Sequence, residues 1–214
     1  MKGDVEGRNA SDALRETRLA VPRPGPDQEP VGISGGGTMI AADVTMIVFR
    51  IIHIIAGVAW AGSVFLFVVF VQPSVAAIAP AGAPFMAELL GRRRLVDRLL
   101  VFAALTIAGG AVLYWRAWDA AGSLGDWIGT RFGAVLTVGA VAAIAAFVIG
   151  LFGTRPSVQR LLALGRQIAQ SDGPPAPELT AEMGRLQARL RVLARITLGL
   201  ITISVLAMAT ARYW

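Results

Sequence analysis

The chain contains no cysteine, a single lysine (Lys2) and a single histidine (His53). Without cysteine there is no disulfide, no thiolate metal site and no thiol nucleophile. With lysine confined to position 2, no phosphate-binding glycine loop ending in lysine is possible along the body of the chain. One histidine leaves no histidine–carboxylate metal cluster, and any Ser-His-Asp set would have to use His53. Acidic residues are missing from the interiors of the long apolar runs, Asp97 standing at the very edge of one, so a proton or ion pathway built of intramembrane carboxylates is not expected. None of those runs alternates apolar with polar residues, which excludes spanning strands. The first apolar run exceeds a signal-peptide core and lacks a small-residue cleavage site.

What is present is apolar. Hydrophobic residues make up 55% of the 214 and charged residues only 16%, too apolar a balance for a soluble domain of this size. Four runs, about 44–71, 97–117, 131–153 and 194–212, each reach the ~20 residues a helix needs to cross ~30 Å of hydrocarbon. Only helices or closed barrels satisfy the backbone in lipid. The expected fold is therefore all-α: a four-transmembrane-helix bundle over 41–214. Residues 1–40, with VPRPGPDQEP and GISGGGT, read as a disordered tail that cannot bury enough apolar surface to offset ordering. A later start at Met39 or Met46 is the favoured alternative for this stretch.

The net charge of +6 rests on arginine, and the arginines gather at the ends of the apolar runs. That pattern fits topology better than nucleic acid, and no nucleic-acid partner is expected. Arg92, Arg93, Arg94 and Arg98 lie between the first two runs; Arg155, Arg160, Arg166, Arg185, Arg189, Arg191 and Arg195 lie between the last two. The positive-inside rule makes these connections cytoplasmic and both termini external, in a bacterial plasma (inner) membrane. Tyr114, Trp115, Trp118, Trp127, Tyr213 and Trp214 would then form an interfacial belt on the outer side. PFMAELLGRRRLVDRLL reads as one helix entering the second span, with Phe85, Leu89, Val96 and Leu100 on its apolar side and Pro84 in its first turn. Leu179, Met183, Leu186, Leu190 and Leu193 recur at heptad-like spacing. Val158, Leu161, Leu162, Gly165 and Ile168 form a facing stripe, and SDGPPAP breaks the chain between them. The two stripes predict a cytoplasmic helical hairpin over about 155–193.

In the third run Gly139, Ala143, Ala146 and Gly150 share one side, with Gly109 and Gly110 of the second as a complementary close contact. The first run carries the chemistry. Met46, Arg50, His53, Gly57, Trp60 and Val64 are spaced by three or four residues and share a face. An ionisable residue inside a membrane is by default a candidate site. His53 could hydrogen-bond a neighbouring helix, ligate haem b or copper, or move protons, with Arg50 and Trp60 completing a candidate ligand face. As a metal ligand His53 has no histidine partner in its own chain. Haem would need Met208, a five-coordinate iron or a dimer-related His53, and Met46 stands two turns away.

His53, Trp60, the small residues Ala61, Gly62 and Ser63, Phe65, Phe67 and Pro73 together resemble the opening helix of the copper-resistance-D-like superfamily of small bacterial membrane proteins. RRRLVDRLL, IAGGAVLY and RFGAVLTVG extend the resemblance over about 44–153. It implies a helical bundle with a histidine and tryptophan on its first helix. Copper-transporting members offer several histidines or methionines along a route, and this chain has His53 and scattered methionines. The bacterial oxygen-independent protoporphyrinogen oxidases are similar in their opening histidine, thought to bind haem, but carry a membrane lysine; here Gly139 stands at that place. The expected function is a non-enzymatic membrane component or accessory factor in the lipid bilayer, meeting a membrane-protein partner or a second copy. The alternative is a haem- or copper-binding redox or transport protein using His53. A small-molecule carrier would need a midplane polar cavity, for which Thr106, Thr137, Thr197, Thr202 and Ser204 are the available groups, equally suited to interhelical hydrogen bonds.

Overall fold

The computed structural model describes residues 36–171 and 173–214. The chain divides into two units, Met1–Ala42 and Asp43–Trp214, and the helical bundle belongs to the second. The tail expected over 1–40 lies outside the described residues except for its last five, which belong to the first helix.

Helix α1 (Gly36–Leu66) continues through a π-helical turn (Phe67–Val71) into α2 (Gln72–Ala77). A short α3 (Ala83–Ala87) and a second π turn (Glu88–Arg92) lead to α4 (Leu95–Ala120). After α5 (Leu124–Gly129), helix α6 (Arg131–Val148) passes through a third π turn (Ile149–Thr154) into α7 (Arg155–Ala169). The chain ends with α8 (Pro177–Thr210) and a 3₁₀ turn (Ala211–Tyr213). Among the described residues there is no strand.

Four helical stretches are long and apolar enough to cross a membrane: Val44–Ala77, Leu95–Ala120, Arg131–Ala169 and Pro177–Tyr213. These are the four expected spans, longer at the arginine-rich end. Arg131–Ala169 has 39 residues, so at ~1.5 Å per residue it reaches ~58 Å, about twice the hydrocarbon thickness. Large apolar side chains such as Ile55, Val58, Val101, Val141 and Leu206 are exposed, as a lipid-facing surface requires.

One core cluster draws on all four stretches: Trp60 and Val64 from α1, Ala103 from α4, Ala143 and Ala146 from α6, Ile201 from α8. In lipid, association comes from close packing rather than from expulsion of water, so small residues set the approach. Gly139 shows this: a methyl there would lie 3.0 Å from Ala207 Cβ and 3.3 Å from the Ser204 carbonyl. The small-residue side of the third span thus packs on α8, while Gly150 meets Leu100 of α4. Gly109 and Gly110 are not its counterpart. They receive His53 instead.

Two further expectations change. PFMAELLGRRRLVDRLL is not one helix, because it breaks at Arg94, whose φ of 51° is left-handed. Arg92, Arg93 and Arg94 are exposed, so no apolar contact holds them in helical register, and Arg93 N–H closes the π turn on the Glu88 carbonyl at 2.8 Å. Trp127 does not join an interfacial belt. It is 7% exposed, with edge-on contacts to Tyr114 and Phe132. The cause is α5, which Ser123 caps by accepting Asp126 N–H at 3.0 Å and which folds the indole inward.

Stripes on α7 and α8 are half-buried at Leu161, Leu162, Ile168, Leu179, Met183, Leu186, Leu190 and Leu193. Leu164, which lies off the expected α7 stripe, is the largest fully buried side chain among the described residues. Arg160 ties the two helices with a forked pair of bonds to Glu182, 2.7 and 3.1 Å.

Candidate functional site

Helix α1 turns one side inward at helical spacing: Ala56, Trp60 and Val64 are buried, while His53 and Gly57 are half-buried. Arg50, a turn before His53, is exposed. The three candidate ligand-face residues therefore sit in three different settings. Trp60 is part of the core cluster. It lies seven residues from His53, roughly 10 Å along the helix axis.

His53 is held against α4. Its Nδ1 lies 2.7 Å from the backbone carbonyl oxygen of Thr106. A carbonyl only accepts, so Nδ1 carries the proton and donates; the neutral ring then has its lone pair on Nε2. The contact exists because α4 has no side chain at two successive positions. A methyl at Gly110 would lie 2.8 Å from His53 Cε1 and 2.9 Å from Nδ1. At Gly109 it would lie 3.1 Å from the Phe49 carbonyl and 3.2 Å from the His53 backbone N. Gly109 thus lets the two backbones approach, and Gly110 makes the slot that admits the imidazole. One turn further along α1, Gly57 gives room to Thr106, whose methyl lies 3.4 Å from where a Cβ would stand.

Thr106 is itself buried and satisfied, its hydroxyl donating to the Phe102 carbonyl at 2.7 Å. Thr202 does the same within α8. Thr137 makes a cross-helix bond, 2.7 Å to the Tyr114 hydroxyl. Thr197 differs: its hydroxyl is buried and has no partner.

As a ligand set the surroundings of His53 are sparse. Among the described residues no three of His, Cys, Asp and Glu come together. Met208 is 37% exposed on α8. A haem or metal ion held by one copy of the chain would find one nitrogen donor, Nε2, already oriented by the Nδ1 bond in the way that ligating histidines are. Among the described residues, no cluster of His, Cys, Asp and Glu adds to it.

Residue spacing singles out His53 but not the groove that holds it, since it pairs Gly109 and Gly110 with the wrong helix. The available signal was the adjacent glycine pair, which opens more room than small partners such as Ala143 or Ala146 need. No family model, no curated protein and no solved structure matches this chain.

Proposed function

We propose that this chain is a non-enzymatic integral membrane component, an accessory or assembly factor of the bacterial inner membrane, in which His53 is a helix clamp. The observation that carries the reading is the 2.7 Å bond from Nδ1 to the Thr106 carbonyl, with the ring seated over Gly110. A polar side chain bonded to a neighbouring backbone in this way fixes the register of two spans. The arginine-rich ends face the cytoplasm with both termini outside, following the positive-inside rule. Helices α7 and α8 then project as a cytoplasmic hairpin, and the Arg160–Glu182 fork ties that hairpin to itself. Its exposed arginines Arg185 and Arg189 are left for a partner.

The second reading, haem or copper at His53, is favoured by one detail: the Nδ1–H tautomer presents the Nε2 lone pair. It requires a five-coordinate iron or a second ligand, such as the imidazole of a second copy, and it agrees with the resemblance to the copper-resistance-D-like group. An absorbance spectrum of the detergent-purified protein separates the two readings. The clamp predicts a colourless protein, and His53→Ala lowers its thermal stability by about 1 kcal/mol, the scale of an interhelical hydrogen bond in a membrane. A Soret band that disappears in His53→Ala would overturn the clamp in favour of haem.

A further inference from the structure

The arginine-rich end of the bundle contains two adjoining cavities that His53 does not touch. One, of about 90 Å³, is apolar and is lined by Trp60, Val68, Leu99 and Phe147, with Thr197 at its wall. The other, of about 140 Å³, is lined by Arg94, Asp97, Arg155 and Gln159. Leu90 and Val96 belong to the walls of both, so a charged cavity and an apolar one lie side by side at this end. All three π turns contribute to it: Phe67 and Val68 from the first, Leu90 and Gly91 from the second, Gly150 and Thr154 from the third. π turns widen a helix locally and recur at functional sites.

Four details of this space point to an occupant with a phosphate and a hydrocarbon chain. Arg94 and Arg155 both donate through Nε to the same carboxylate, Asp97, at 2.9 and 2.8 Å. Neither uses its Nη nitrogens in those bonds, so Asp97 aligns two guanidinium groups and the trio keeps a net positive charge. Arg94 stands in a left-handed backbone conformation, which a non-glycine residue holds only when its surroundings enforce it. It opens α4 without a side-chain cap. The first helical bond there is Arg98 N–H to the Arg94 carbonyl, so the N–H groups of residues 95–97 have no partner within the helix beside this cavity. Deeper in, Thr197 is 9% exposed and its hydroxyl has no partner. Thr106, Thr137, Thr202 and Thr210 all return theirs to a carbonyl four residues back.

We propose that this space holds one anionic glycerophospholipid from the leaflet at the arginine-rich end. The phosphate sits on Arg94 and Arg155, an ester carbonyl accepts from Thr197, and the first methylenes of one acyl chain enter the half-open apolar cavity beside Trp60 and Phe147, the rest of the chain following the lipid-exposed surface. Charge selects the headgroup, as in other basic pockets between membrane helices, and the apolar cavity beside the charged one selects a lipid over a free anion.

The test is a titration of the delipidated protein in neutral detergent, read by native mass spectrometry, with phosphatidylglycerol, phosphatidylcholine and inorganic phosphate as separate arms. One phosphatidylglycerol per chain is expected, at least tenfold tighter than phosphatidylcholine, and millimolar phosphate should not displace it. Arg155→Gln and Arg94→Gly each reduce its affinity tenfold or more; Arg94→Gly also relieves the left-handed backbone, so a folded variant is expected. Thr197→Val weakens lipid binding several-fold yet raises the melting temperature of the lipid-free protein, because it removes a buried unsatisfied hydroxyl. Arg191→Gln, an exposed arginine lining neither cavity, leaves affinity unchanged. Equal binding of the two lipids, an Arg191→Gln loss as large as that of Arg155→Gln, or displacement by phosphate would each overturn the proposal.

Discussion

Gly133→Ala destabilises the protein by about 3 kcal/mol, at the upper end of what overpacking costs. A Cβ at this position would be driven into the carbonyl oxygen of Trp127 and lie 2.9 Å from Thr130 Oγ1. The obstacle is backbone, which cannot rotate away as a flexible side chain can. Thr130 is also the N-cap of α6, its hydroxyl accepting Gly133 N–H at 2.9 Å while donating to the Trp127 carbonyl at 2.7 Å. Displacing that turn therefore removes the cap and loosens Trp127 from Tyr114 and Phe132. Thermal or SDS-induced unfolding in micelles measures the loss, and tryptophan emission should move to the red as Trp127 becomes wetter. Gly129→Ala is the control, since nothing lies within 4 Å of its Cβ position; it should change stability by less than about 0.5 kcal/mol. If Gly133→Ala melts with the wild type, the tight turn between α5 and α6 is misplaced.

The second large effect belongs to the histidine slot. Gly110→Ala places a methyl 2.8 Å from His53 Cε1, so the ring must leave and its bond to Thr106 is lost. The contact is with the movable end of a side chain, so overpacking stays at the low end of about 1–3 kcal/mol; with an interhelical hydrogen bond of about 0.6–1.7 kcal/mol, the expected loss is near 2 kcal/mol. In the background of His53→Ala the same methyl meets no ring. The double variant should then be no less stable than His53→Ala alone, a coupling of about −2 kcal/mol in a double-mutant cycle. Additive losses would mean that the imidazole does not occupy the groove over Gly110, and the clamp reading would go with it. The two predictions probe opposite ends of one principle: in a bundle without a hydrophobic driving force between helices, glycine decides which backbones can touch.

Much was legible from residue order because bilayer thickness and backbone hydrogen bonding act on each segment separately. The four spans, their helical form, the proline-led start of α3 and the half-buried leucine stripe of α8 needed no partner information. The inward side of α1, with Trp60 and Val64, was equally readable from spacing. Pairing between helices was not. Gly109 and Gly110 carry no side chain and so no mark of their partner, and Trp127 looked interfacial until α5 folded it inward.

The same division holds for the sites. Residue order alone specifies that His53 is the one histidine available, that it lies on an apolar helix, and that positive charge collects at one end of the spans. The bond from the imidazole to the Thr106 carbonyl, and the alignment by Asp97 of Arg94 with Arg155, 58 positions further along the chain from Asp97, come from how the helices pack. The physical reason is range. Composition and periodicity express forces between a segment and its solvent, whereas a slot or an ion-pair cluster depends on which backbones come within a few ångströms of each other.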